Sequence, residues 1–333
     1  MKFVGLVRKY LPLWVALDIA LALLIGHYFP QVNAAQVAVP FLLFVMLYPM
    51  MLNLRLEHIG NSLKSPRLVI MAILLNFIIT PLLGALWAQL IFSRTDPYLA
   101  SGFILKVLVP GSGMVAAWTG YARGKVESAL VIVALSLILS IFMVPIWMMV
   151  LAGTYIPIDP FMIFQKMLLI VVLPLIAGLL TRKFLIKKYG SKRFQGMVPY
   201  FAPISTCGML PMVFIIIAAQ AGLILSNFHW VGLVILGIAT LYPVLFLLAI
   251  ITSKVIGVGH GNCMALGFSV TAKGHAITIG IATTAFAGTL AVLPAAVAPV
   301  IQIPIMLLFL QLSSKIERFL HPALIRKEAS NEQ

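Results

Sequence analysis

Charge is what this sequence has least of. Only 9% of its 333 residues are Asp, Glu, Lys or Arg, and acids number just 8. An ordinary water-soluble domain carries about 25%. With 62% hydrophobic residues and a mean hydropathy of +1.11, the chain has too little polar surface to face water on all sides. Cysteine is nearly absent too: Cys207 and Cys263 both lie in apolar runs, which excludes a disulfide framework and favours packing roles. No nucleophile–base pair, metal-ligand set or phosphate loop stands out, so an enzyme is not expected and no cofactor is implied.

What remains is a series of long apolar runs. They fall near 11–29, 37–54, 68–92, 98–121, 128–152, 161–181, 199–224, 229–253, 259–287 and 290–314, each long enough to cross a bilayer. The first contains Asp18 and is too long for a signal-peptide core, so it counts as a span. The expected fold is an all-α integral membrane protein of ten transmembrane helices, forming one transporter unit over residues 1–333.

The net charge of +15 is a topology signal rather than a nucleic-acid footprint. Basic residues sit before span 1 (Lys2, Arg8, Lys9), between spans 2 and 3 (Arg55, Lys64, Arg67), and between 4 and 5 (Arg123, Lys125). They recur between 6 and 7 (Arg182 to Arg193), between 8 and 9 (Lys254), and after span 10 (Lys315 to Lys327). The opposite side has only Arg94. The excess of Lys and Arg in cytoplasmic loops puts both termini in the cytoplasm, in the plasma membrane.

The halves echo each other at an offset of about 160 residues, in the range of one five-helix unit. "MLYPMM" (46–51) resembles "MLPMV" (209–213), Pro81 falls opposite Pro243, and "VPIWMMVL" (144–151) resembles "IPIMLLFL" (303–310). "PGSG" (110–113) falls opposite "AKGH" (272–275). Five helices per repeat, 11–152 and 161–314, is an odd number, so the second repeat enters the membrane inverted. Such repeats place a site near the midplane where discontinuous helices meet.

The candidates for discontinuity are spans 4 and 9. Span 4 carries Pro110, Gly111, Ser112 and Gly113; span 9 carries Lys273, Gly274 and His275. Proline and glycine break a helix, and broken backbone at membrane depth is tolerated only where buried or lining a wet cavity. The half-helices restarting at Gly111 and Gly274 would aim positive dipole ends at one region.

Charge inside a span costs roughly 2.5–3.5 kcal/mol at mid-depth, so each instance requires a reason. Lys273 sits at the second break and Lys106 one turn before the first. Asp18 is either a partner for a lysine or a proton carrier, and His275 is either a core histidine or part of the site. Asn76, Gln220 and Gln302 read as interhelical hydrogen-bonding residues. Two or three cations against one acid suit a small anion, or a neutral polar solute held by hydrogen bonds. A lysine removed from water beside a second lysine can hand off its proton, which makes Lys273 a candidate for proton coupling.

At these motifs the chain resembles the bile-acid/sodium symporter superfamily, which also contains arsenite-efflux permeases. "FLLFVMLYPMMLNLRLE" (41–57) is similar to that family's second helix and "VPGSGMVAAWTGYARGKVESALVIVALS" (109–136) to its fourth and fifth. Ala122-Arg123-Gly124 leans to the bile-acid branch; Tyr48-Pro49 and Met114-Val115 with Trp118 lean to the arsenite branch. The resemblance implies ten helices in two inverted repeats, with helices 4 and 9 broken and crossed, and transport by alternating access.

Three departures qualify it. Where sodium symporters of the family carry Ser-Asn after the first break, Val115 and Ala116 stand here. Where they carry Glu and Gln at the second break, Ser269 and Lys273 align. Where arsenite permeases have a cysteine after the helix 4 proline, this chain has Gly111. The expectation is a secondary transporter of a small organic anion or oxyanion, without sodium coupling, acting in the lipid bilayer with no nucleic-acid partner. Whether it acts as a monomer or a homodimer stays open. The rivals are arsenite efflux in the same fold and a channel or receptor derived from it. Orientation is testable directly: alkaline phosphatase should be active when fused in the loop of Arg94 and inactive when fused after Lys254 or at the C-terminus, with the opposite pattern for a cytoplasm-active reporter.

Overall fold

The computed structural model describes residues 11–52, 66–111 and 114–320, and among these the protein is entirely helical. The helices are α1 (Leu11–Tyr28), α2 (Val39–Leu52), α3 (Pro66–Phe92), α4 (Pro97–Leu108), α5 (Met114–Tyr121), α6 (Val126–Leu151) and α7 (Pro160–Tyr189). They continue as α8 (Ser191–Ala219), the short α9 (Ala221–Ser226), α10 (His229–Val255), α11 (His260–Thr271), α12 (His275–Ala285) and α13 (Leu293–Leu320). Five stretches among the described residues are long and apolar enough to cross a membrane: Pro66–Phe92, Val126–Thr154, Pro160–Tyr189, His229–Val255 and Leu290–Leu320.

Spans 4 and 9 are each split in two, as the Pro and Gly positions lead one to expect. At the first break Gly111 is non-helical and the described part of α5 runs from Met114, while α12 begins at His275 with Gly274 as its N-cap. Ser112 and Gly113 lie outside the described residues. Span 7 differs from expectation. Its helix starts eight residues earlier than the apolar window, at Ser191, because Gly190 turns the chain with φ +81 and a polar, basic stretch then continues as helix.

The scarce acids are put to local use. Asp96 caps α4 by accepting from the N–H groups of Tyr98 and Leu99, and Asp159 caps α7 by accepting from Phe161 and Met162. Each is followed by a proline at the first helical position, whose missing N–H costs nothing there.

α3 contains one turn of π-helix, Leu75–Ile79, and its cause is two residues on. Pro81 has no N–H and its ring displaces the carbonyl four residues back, that of Phe77. The freed carbonyl accepts from Trp147 Nε1 on α6 at 2.7 Å. The wider turn carries Asn76 to the interior, where it is buried; such π turns recur at functional sites.

Two sets of helices pack most closely. α8 lies along α1 and α2, and α2 also packs on α7. In the other set α3 pairs with α4, α10 with α11 and α13, and α11 with α5 and α6. α12 touches α2, α7 and α13, and α1 touches α13, so the sets meet there. The innermost layer consists of the broken spans: every residue from Leu99 to Gly111 and from Cys263 to Gly274 is buried.

Trp147→Phe keeps the ring but removes the donor to Phe77. Leaving that buried carbonyl unpaired should lower stability by about 1–3 kcal/mol, read as a drop in thermal midpoint in detergent, with Trp87→Phe as the comparison because its Nε1 meets only the Thr240 hydroxyl at an exposed position.

Candidate functional site

The two breaks meet. α4 ends at Leu108, Val109 turns extended (φ −67, ψ 124), and Pro110 has no N–H to offer. α11 ends at Thr271, and Ala272 (φ −79, ψ 66) leads into Lys273 and Gly274. Gly274 N–H donates to the Pro110 carbonyl at 3.0 Å, and Gly111 and Lys273 face each other as an antiparallel bridge. Each break therefore supplies backbone partners the other lacks, which is what apolar surroundings demand. The contact is close enough to require glycine: a Cβ on Gly111 would lie 2.5 Å from Val115 Cγ2 and 3.0 Å from the Ala272 carbonyl oxygen.

Side chains from three other helices hold the second break. Lys273 is buried, and its Nζ donates to Asn76 Oδ1 on the π turn of α3 at 3.1 Å. Its carbonyl accepts from Gln302 Nε2 on α13 at 3.3 Å, and Gln302 Oε1 in turn accepts from the Tyr242 hydroxyl on α10 at 3.1 Å. Thr278 Oγ1 on α12 donates to the Gly274 carbonyl at 2.7 Å.

Of the residues singled out in the sequence, Pro110, Gly111, Lys273 and Gly274 come together directly. Lys106, fully buried on α4, lies within electrostatic reach of Lys273 and His275, and its Nζ has no hydrogen-bond partner among the described residues. His275 opens α12, its Nδ1 buried and unpartnered. Asp18 does not meet Lys273, whose ammonium goes to Asn76 instead; Asp18 Oδ2 is buried without a partner on α1.

Asn76 and Gln302 are more specific than the generic interhelical role the sequence suggests. The signal that marks Asn76 is its place five residues before Pro81 in an otherwise apolar span, where a proline-induced wide turn swings it inward. The Val115 side chain at the first break is buried and brings no oxygen. Cys263 is buried on α11, two turns before its end, and Cys207 is exposed. Among the described residues no three His, Cys, Asp or Glu side chains gather to hold a metal ion.

A small, partly open cleft lies away from the crossing residues, between the C-terminal ends of α8 and α12. Ile216, Gln220, Thr283, Phe286 and Thr289 line it. It sits where the two helix sets meet.

Comparison with known proteins accords with this architecture. The arsenical-resistance protein Acr3 of Alkaliphilus metalliredigens is 28% identical over 94% of this chain and 94% of its own. Acr3 of Corynebacterium glutamicum is 23% identical over 91% and 87%. The probable sodium/metabolite cotransporter BASS1 of Arabidopsis thaliana, a chloroplast protein, is 25% identical over 90% of this chain and 72% of its own. Residues 40–227 match the model of the sodium bile acid symporter family, and the chain is an integral membrane protein belonging to that family of transporters.

Proposed function

We propose that this protein is a secondary transporter of a small organic anion or oxyanion, driven by protons or by the solute's own gradient rather than by sodium. The proposed frame is ten spans in two inverted repeats, 11–152 and 161–314. α1, α2, α7 and α8 form a panel, while α3–α6 and α10–α13 form a core. Solute binds between them beside the crossing, and one part rocks against the other to expose the site alternately. The packing of α8 on α1 and α2, and the cleft between α8 and α12, support that division. The plasma membrane with cytoplasmic termini is the proposed setting, as the basic loops suggest.

The observation that carries the reading is the Lys273 ammonium, held by Asn76 where two broken helices join. A tethered cation at that point does the electrostatic work of a coupling cation, and unlike sodium it can gain and lose a proton. Val115 and Ala116, apolar where the family's sodium symporters carry Ser-Asn, support the same conclusion.

Arsenite efflux is the second reading, favoured by the full-length similarity to Acr3 proteins. Against it, Gly111 offers no thiolate, and the space beside it is taken by the Ala272 carbonyl and Val115.

Uptake into proteoliposomes, with a panel of labelled organic anions and arsenite, distinguishes the readings when run with a sodium gradient, a proton gradient and neither. Proton-dependent or gradient-free anion flux is expected. Lys273→Gln should cut it by at least about tenfold, a loss of ~1.4 kcal/mol, and Lys273→Arg should leave residual flux insensitive to pH. Sodium-dependent flux, or normal pH dependence in Lys273→Arg, overturns the lysine-centred site. Gly111→Cys is expected to reduce anion flux at least about tenfold without conferring arsenite transport. A gain of arsenite flux in that variant would favour the Acr3-like reading.

A further inference from the structure

Around the crossing, buried polar atoms lack partners in a consistent pattern. Lys106 Nζ, Asn76 Nδ2, Thr80 Oγ1 and His275 Nδ1 are all buried with no hydrogen bond among the described residues. Lys106 and Thr80 are 0% exposed and Asn76 is 1% exposed. Buried polar groups are nearly always satisfied, so such a group of exceptions in one neighbourhood calls for a partner.

The four lie on elements that the crossing draws together. Asn76 is placed there by its bond to Lys273. That bond occupies its oxygen, so the amide NH₂ is left free and can only donate. Thr80 is the next turn along the same side of α3. α3 is pressed on α4 beside Lys106: a Cβ on Gly84 would lie 2.7 Å from Val107 Cγ1. Lys106 lies within electrostatic reach of Lys273 and His275, and among the described residues no carboxylate hydrogen-bonds to either lysine. An ammonium and an amide NH₂ donate without accepting, and the threonine hydroxyl donates as well. A donor-rich, acid-free cluster lacks an anionic acceptor, and a buried cation without a counter-charge is costly.

We infer that Lys106, Asn76 Nδ2, Thr80 and His275 form a binding site for one small monovalent anion of halide size. The size follows from packing. The α4 and α11 segments here are buried throughout, which leaves room for a small ion only, and the cleft between α8 and α12 is lined by other residues. The anion is thus a resident or co-transported ion distinct from the larger solute, and its site stands whether or not that solute is an organic anion. Occupancy is linked to protonation: an anion held by ammonium favours the charged amine, so affinity falls as rising pH neutralises the lysines. Proton and anion entering together leave the net charge of the site unchanged.

The test uses purified full-length protein in detergent at constant ionic strength, so that general screening is held fixed. Gluconate, too large for the site, is exchanged for chloride, bromide or iodide. A saturable, halide-specific rise in Tm is expected, weaker at high pH and absent in Lys106→Met. Bromide soaked into crystals should give an anomalous peak beside Lys106 and Asn76. No halide-specific shift in the wild type overturns the site, as does an equal shift in Lys106→Met or a bromide peak only elsewhere. If Lys106→Met does not fold, the wild-type halide series and the bromide peak decide alone. Solute flux measured in parallel in gluconate separates the outcomes, because anion transport can persist with no halide site and a halide site can persist with no anion transport.

Discussion

Two helices that stop short inside an apolar protein leave main-chain groups with no water to bond, and here each completes the other. The Gly274 N–H reaches the Pro110 carbonyl, and Gly111 lies across from Lys273. Much else follows from that contact. A side chain on Gly111 would crowd Val115 and the Ala272 carbonyl where the two segments approach. Gln302 must be on α13 to take up the Lys273 carbonyl, and Tyr242 on α10 to orient Gln302. Asn76 must turn inward, which takes the wide turn in α3 caused by Pro81 and stabilised by Trp147. Elements far apart in sequence are thereby tied to one short stretch of irregular backbone.

The choice of an amide rather than a carboxylate for Lys273 has a physical consequence. A buried ion pair is strong only when both charges stay put, and breaking one costs several kcal/mol. An amide oxygen stabilises the ammonium through its dipole and lets go more cheaply. It also leaves the charge of a protonated Lys273 uncancelled by any acid partner. The few acids are spent elsewhere: Asp96 and Asp159 cap helices at their N-termini, and Asp18 lies apart on α1.

Much of this was legible in the sequence because the governing constraints are local. Pro110 and Gly111 cannot continue a helix, and Lys273 cannot sit in an apolar span without cause, so both breaks stand out. That they touch was suggested by the repeat. What the sequence concealed depends on side-chain geometry after packing. Asn76 looked like one polar residue among several, because nothing in its own neighbourhood reveals that Lys273 would point at it. The fate of Asp18 was undecidable for the same reason: whether a carboxylate meets a lysine depends on helix rotation, which charge counting does not give. The early start of α8 at Ser191 was missed because hydropathy marks where lipid lies, not where a helix begins.

In the proposed transport cycle, a protonated Lys273 bears on which ion could accompany the solute. A sodium ion about 5 Å from a protonated Lys273 would meet a repulsion of ~3 kcal/mol at an effective dielectric near 20, and Lys106 would add to it. The Val115 side chain is buried and supplies no oxygen to offset that cost. Opposite charge meets the reverse situation: a small anion gains from both lysines, and every bound anion makes it easier for an amine to hold its proton. The relatives include a probable sodium/metabolite cotransporter, and a different coupling in this chain, as proposed, would need no new architecture. On the reading proposed above, one lysine at the break, and one amide to hold it, are enough to reverse the sign of the charge the centre would accept.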